Sequence, residues 1–431
     1  MALDTLHSKI SIDICKPNNE HQRAHVPGGS VADFAPDQID FYRGDPHAAF
    51  RRLRAEDPLH WYEPGRFWCA TRHAEVCEIS RRPRAFSSAH GTQLFEIPLR
   101  LAGASPGAFE ESAPSIIQMD PPAHNRQRKL VIGAFAPRSV AALEPRVRAL
   151  ARESVAAIRP GERFDFVEKL AIPLPMYVIA ELLGVPSSDY AAFRRWSDVM
   201  IDAGASGPRP ETLGTVIEVF GYMVEKAAER RRAPREDVLT RLALAEIDGE
   251  QLSEAELGIF CLTLLVAGNE TTRNLIAGGM RHLLEHPAQW QRLCAEPTLV
   301  PNAVEEMLRY VSPIQNFVRR VQRDTELAGK RLRAGEYVAL CYGSANRDES
   351  VFGPDAESFD IRRPDAGRHV AFGFGEHLCL GAALARLEAR VLFEELIARG
   401  PGFSLAGEVE RMPSTFVNGI ARMPVVFEEG A

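Results

Sequence analysis

The chain has 431 residues, 45% of them hydrophobic and 25% charged, with a formal net charge of −7. That is the balance of a globular protein with a sizeable core, and no basic run interleaved with aromatics is present to hold nucleic acid. Seven cysteines (residues 15, 69, 77, 261, 294, 341 and 379) show no C-x-x-C pairing, which argues against a disulfide framework and for reduced thiols in a cytoplasmic protein.

Residues 1–9 contain no apolar stretch of signal-peptide length, and residues 1–30 are polar and aperiodic, so a disordered arm is expected there. Residues 31–431 are expected to form a single catalytic domain. Helical spacing covers 46–57, and two short strands at 59–61 and 67–71 flank the turn Glu63-Pro64-Gly65. Residues 86–117 keep no period and exceed the usual connection length, which predicts a binding loop or lid. Asp120 is placed to cap a helix that begins with Pro121 and Pro122. Further helices are expected over 140–158, 167–183, 190–203 and 211–232. A long helix over 253–285 opens on the capping box Ser253-Glu254-Ala255-Glu256. Its middle is apolar all round, so it must cross the interior. Its most apolar stretch, 259–267, is about half the ~20 residues a membrane span needs, and no membrane anchor is expected. Helices over 287–295 and 301–310, strands within 326–345 and a last helix over 380–399 complete a mainly α chain with minor β.

The most informative stretch is Phe372-Gly373-Phe374-Gly375-Glu376-His377-Leu378-Cys379-Leu380-Gly381. Glycines at 373, 375 and 381 permit positive φ and close approach of backbone to a flat ligand. A lone thiolate there suits the axial position of haem iron, where it favours O–O cleavage. A phosphate loop would need a glycine where Leu378 stands, and a zinc site would need two more ligands than His377 and Cys379. An inert core thiol is the remaining alternative.

The loop resembles the haem-binding signature of the cytochrome P-450 superfamily, and similar landmarks run from about residue 45 to the C-terminus. The resemblance implies a single-domain triangular fold with haem b between the long central helix and the cysteine-loop helix. Cys379 would be the iron ligand, with Phe372, Gly373 and Gly381 in the cradle. Ala267-Gly268-Asn269-Glu270-Thr271-Thr272 resembles the acid–alcohol motif of the family. Glu270 would then be the proton-delivery acid, Thr271 the hydroxyl that orders oxygen and water, and Ala267 a small residue against the cofactor. A core ion pair and a threonine bonded to its i−4 carbonyl are the rival reading.

His124 and Arg128, four apart on one helical face, resemble a propionate clamp, which Arg319 (or Arg320) and His377 would complete. Glu306 and Arg309, with Arg363 (or its neighbour Arg362), resemble the structural charge triad of the family. The analogy offers Leu94, Phe95, Thr263, Val266, Gln315, Phe317, Val318, Phe416 and Val417 as substrate contacts. They form a mostly apolar set suited to a steroid, terpenoid or branched lipid. Electrons would come from a ferredoxin and its NAD(P)H-dependent reductase, steered to a basic face of Arg126, Lys129, Arg386 and Arg390. The molecule would act as a monomer. A non-catalytic haem sensor or carrier, or a haem-thiolate catalyst using peroxide or nitric oxide, are the other readings. The Glu270–Thr271 pair speaks for the oxygenase, because a carrier needs no proton relay.

Overall fold

The computed structural model describes residues 34–103, 114–206, 210–247 and 249–429. The expected arm over 1–30, and part of the expected lid, lie outside them.

The fold is organised around the helix Glu254–Glu285. Its start is fixed as the sequence predicts: the Glu256 amide donates to Ser253 Oγ at 3.2 Å, and the Ser253 amide donates back to Glu256 Oε2 at 2.8 Å. The helix is 32 residues long and packs against Pro173–Leu182, Tyr190–Ser206, Pro210–Arg232, Val300–Val311 and Ala382–Ala398. Gly278 and Gly279 make the crossing with Val300–Val311 close. A Cβ on either would come within 2.7 Å of Val311 or 2.6 Å of Met307.

Beside this helical mass stands a five-stranded sheet in the order Leu59–Tyr62, Phe67–Ala70, Tyr337–Cys341, Asn316–Val321, Phe86–Ser87. Tyr337–Cys341 runs parallel to Phe67–Ala70, and the other pairings are antiparallel. Strand alternation then sorts the side chains of Asn316–Val321. Phe317 and Arg319 point toward the long helix and line a cavity there, while Val318 joins a cluster with Phe34, Phe50, Tyr62 and Phe67 on the other face.

Several local expectations are corrected. Residues 140–158 split into Pro137–Ala141 and Glu144–Ala156, because Pro145 cannot continue a helix and starts a new one. Residues 342–345 are helical rather than extended, and the strand Asn316–Val321 lay outside the predicted strands. The helix after Asp120 begins at Ala123. The Asp120 carboxylate does not cap it, but accepts from the Ser88 amide at 2.8 Å and from the Ser87 hydroxyl. Residues 86–117 contain a short strand and the helix Glu96–Leu101.

Glu306 and Arg309 are both fully buried and bonded through two 2.7 Å contacts, and Arg363 Nε approaches Glu306 at 3.4 Å. Arg362 is exposed, so Arg363 is the third member of the cluster. Arg309 also donates to the carbonyls of Asn346, Ala356 and Ser358, which ties the Val300–Val311 helix to the irregular segment leading to the cysteine loop.

Candidate active site

A cavity of about 500 Å³ separates the long helix from the cysteine loop. The loop is shaped by its glycines at two positions. Gly373 and Gly375 have φ of 72° and 71°, and a Cβ on Gly375 would lie 2.4 Å from the Ser80 carbonyl. Gly381 has a φ of −83°, so it is not there for positive φ, contrary to expectation. The Cys379 amide donates to the Phe372 carbonyl at 2.9 Å, while the Gly381 and Ala382 amides donate to the sulfur. Of the six described cysteines Cys379 alone is exposed, and its surface faces the cavity.

One end of the cavity is cationic. His124 and His377 have ring centroids 4.3 Å apart, with Arg128 and Arg319 beside them. Arg128 donates to the Leu378 carbonyl at 2.7 Å, and Arg319, 6% exposed, to its neighbour's carbonyl at 2.8 Å. Among the described residues no carboxylate within 4 Å pairs with either guanidinium. Burial, then Arg319, His124 and Arg128, hold His377 down to about 2, so it is neutral and accepts or donates without adding charge. A buried guanidinium, Arg319, and a half-buried one, Arg128, neither paired with a carboxylate, call for an anion, because arginine charge taken from water is costly without one. A flat ligand with two carboxylates at this end and a metal over Cys379 satisfies both, so the residues present fit haem.

Opposite Cys379, Ala267, Gly268, Glu270 and Thr271 line the cavity. Gly268 lets Pro173–Leu182 approach, since a Cβ would meet Ile179 at 2.5 Å. Thr271 Oγ1 donates to the Ala267 carbonyl at 2.7 Å, the i−4 bond of the rival reading, yet its oxygen keeps its acceptor side toward the cavity. Glu270 is 7% exposed; burial raises its carboxyl to about 7 against the opposing pull of Arg273.

Among the residues proposed for substrate, Thr263, Val266, Phe317 and Phe416 line the cavity. Leu94 is turned into the aromatic cluster around Phe34, and Phe95 is 58% exposed to solvent. Val318 and Val417 are buried elsewhere, Val318 because a strand cannot present it beside Phe317. The Gln315 amide is used up on the carbonyls of Ser414 at 3.1 Å and Val417 at 3.3 Å. Ser115, Ile116, Ile179 and Ile314 line the wall instead. Reading Asn316–Val321 as a strand would have excluded Val318. No local pattern marks Ile179, which reaches the site through helix packing. Glu388, also missed, lies on the cysteine helix as a fully buried cavity-lining acid with one unpartnered oxygen, and burial holds it far above the usual carboxylate range.

The expected basic face is largely neutralised. Arg126 pairs with Glu250 at 2.9 Å and Glu256 at 3.0 Å, Arg386 with Glu305 at 2.6 Å, and Arg390 with Glu144 at 2.6 Å and Glu394 at 3.0 Å. Lys129 remains exposed. Among the described residues no helix is long and apolar enough to cross a membrane.

A family model described as Cytochrome P450 matches residues 214–414. The chain is 37% identical over 398 residues to linalool 8-monooxygenase of Pseudomonas putida, covering 88% of this chain and 95% of that protein. It is also 37% identical to a steroid C26-monooxygenase of Mycobacterium tuberculosis, covering 90% of this chain and 95% of the relative. Among solved structures, CYP109Q5 from Chondromyces apiculatus aligns with a TM-score of 0.83 at 38% identity, covering 93% of this chain and 100% of that one. CYP109E1 from Bacillus megaterium in complex with testosterone aligns at 0.79 and 36%, covering 90% and 100%.

Proposed function

The chain belongs to the cytochrome P450 family of haem-thiolate monooxygenases, and from that premise we propose that it hydroxylates or epoxidises an apolar terpenoid, steroid or branched lipid, with Cys379 as the iron ligand. One observation supports this most: among the described residues the single exposed cysteine faces, across a mostly apolar cavity, a buried acid next to a threonine. Bound haem supplies oxygen activation, which thiolate donation promotes. The protein's part is to hold, orient and deliver protons. The Gly381 and Ala382 amides temper the charge on Cys379 Sγ. Arg128, Arg319, His124 and His377 hold the propionates. Glu270, poised near neutrality, holds a proton on its carboxyl, and Thr271 Oγ1 accepts a hydrogen bond from a cavity water, so that the two pass protons from the helix interior to the cavity. The apolar wall excludes bulk water and seats the substrate.

The substrate class is supported by the lining and by the printed activities of the relatives on linalool and steroids. Electrons come from a ferredoxin and its NAD(P)H-dependent reductase to a monomeric enzyme, with Lys129, exposed next to Arg128, as the cationic contact. Reconstitution with ferredoxin, reductase and NADH under ¹⁸O₂ tests the proposal. It predicts one labelled oxygen in the product of a terpenoid, steroid or fatty-acid substrate; label absent across all three classes would contradict it.

The clamp assignment makes a separate prediction. Arg319→Ala and Arg128→Ala each remove charge-assisted hydrogen bonds, worth about 1.5–3 kcal/mol or ~10–100-fold in haem retention. Transfer of haem to apomyoglobin measures this. Wild-type transfer rates in both variants would remove these residues from the clamp.

A further inference from the structure

The cavity wall carries one polar feature that the oxygen-side chemistry leaves unused. Thr263, two turns before Thr271 on the long helix, and Ser115, at the start of the 3₁₀ turn Ile116–Gln118, place their hydroxyl oxygens 3.0 Å apart. Ile116, Ile117, Ile259, Leu262 and Val266 surround them on the lining. Hydroxyls in such surroundings are costly unless bonded, and each has one hydrogen to give and two lone pairs to accept with.

Counting those bonds fixes what remains free. Thr263 Oγ1 donates its only hydrogen to the Ile259 carbonyl at 2.8 Å. The hydrogen between the two hydroxyls is therefore the one on Ser115, donated to Thr263. Ser115 Oγ in turn accepts from the Ile117 amide at 3.4 Å. Both hydrogens are spent, and each oxygen keeps one lone pair. The pair is left with acceptor capacity alone.

We propose that Ser115 and Thr263 form a substrate-anchoring site that accepts a hydrogen bond from a hydroxyl on the substrate, so that the enzyme selects apolar alcohols over the matching ketones and ethers. This rests on the reading of the cavity as the site of an apolar substrate. A ketone or ether oxygen brings only lone pairs and meets lone pairs, unless Ser115 first breaks its bond to Thr263. Eight residues separate Thr263 from Thr271, about 12 Å along a helix. The anchored hydroxyl thus lies at one end of the molecule, and the carbon next to Thr271 lies remote from it.

The test uses the haem-loaded enzyme and two matched series: a saturated steroid with a single 3-hydroxyl, its 3-ketone and its 3-methyl ether, and an acyclic monoterpene alcohol with its ketone or aldehyde and its methyl ether. Affinities are read by calorimetry and by the haem spin-state change. For a scaffold that binds, the alcohol is expected to bind about three- to tenfold tighter than its partners, the worth of one neutral hydrogen bond. Thr263→Val, which frees the Ser115 hydrogen for a ketone or ether oxygen, should bring that ratio close to one, as should the double variant Thr263→Val/Ser115→Ala, whereas Thr263→Ser, which keeps the hydroxyl, should retain it and serves as the control for folding. Equal affinities in the wild type, tighter binding of the ketone, or a ratio that survives both hydroxyl deletions would overturn the proposal while leaving an apolar substrate in place. If no member of either series binds, the apolar-substrate reading fails and the anchor with it.

Discussion

Replacing Glu306 with alanine is expected to destabilise the protein by about 3–5 kcal/mol, the usual cost of removing one partner from a buried ion pair. Glu306 and Arg309 have no exposed side-chain surface and Arg363 has 4%, so the substitution strands Arg309 where water cannot reach it, while Arg363 keeps its ion pair with Asp355 at 3.1 Å. The three carbonyls that Arg309 also bonds cannot neutralise it. An exposed pair offers the contrast. Arg422 and Glu410, more than half exposed at 3.1 Å, should contribute no more than about 1 kcal/mol. Urea unfolding of the holoprotein, followed by far-UV circular dichroism, measures both. A Glu306→Ala loss as small as that of Arg422→Ala would show that the triad is ornamental to the fold.

Glu270→Gln should separate catalysis from stability. Loss of a positioned general acid typically costs 10²–10⁴-fold, so product formation should fall by about 10²-fold or more while reductant is still consumed and peroxide released. The pH dependence follows from the same carboxyl. Its folded value of about 7 lies above the ordinary 4.5, so the folded protein holds a proton that the unfolded chain has already released between those two pH values. The stability contributed by this group is therefore full below about 4.5 and lost as pH rises through about 7, a loss of about 3 kcal/mol at 1.36 kcal/mol per pH unit. Glutamine carries no charge to desolvate. The variant should be more stable than wild type above pH 7 and similar to it below 4.5, while coupled turnover of the wild type should decline as pH rises through 7. A variant that keeps full coupling, or gains nothing in stability at pH 8, would remove Glu270 from its proposed role.

What the sequence showed and what it hid divide along physical lines. The capping box at Ser253 and the all-round apolar middle of the long helix are local patterns, and the structure reproduces both. The cysteine loop was legible because each glycine, amide and thiol lies within ten residues of the others. The triad was legible only through resemblance, since the choice of Arg363 over Arg362 depends on burial. The substrate wall was least legible. Leu94 and Phe95 are apolar and near the right loop, but a short helix turns one into the core and the other into solvent. Thr263 was found as an apolar-wall residue, yet its hydrogen-bond partner Ser115 is 148 positions away, a pairing that no local period encodes. The arginines of the expected docking face failed for a similar reason, because all but one of their acidic partners, Glu394, come from other elements.

Every proposed role at the cavity requires that Cys379 hold haem iron as a thiolate, and the spectrum of the reduced carbon monoxide complex tests this most directly. The wild-type protein is predicted to show the red-shifted Soret band of a thiolate ligand, and Cys379→Ala to lose it even where haem remains bound. Retention of that band in Cys379→Ala, or its absence from haem-loaded wild type, would contradict the assignment.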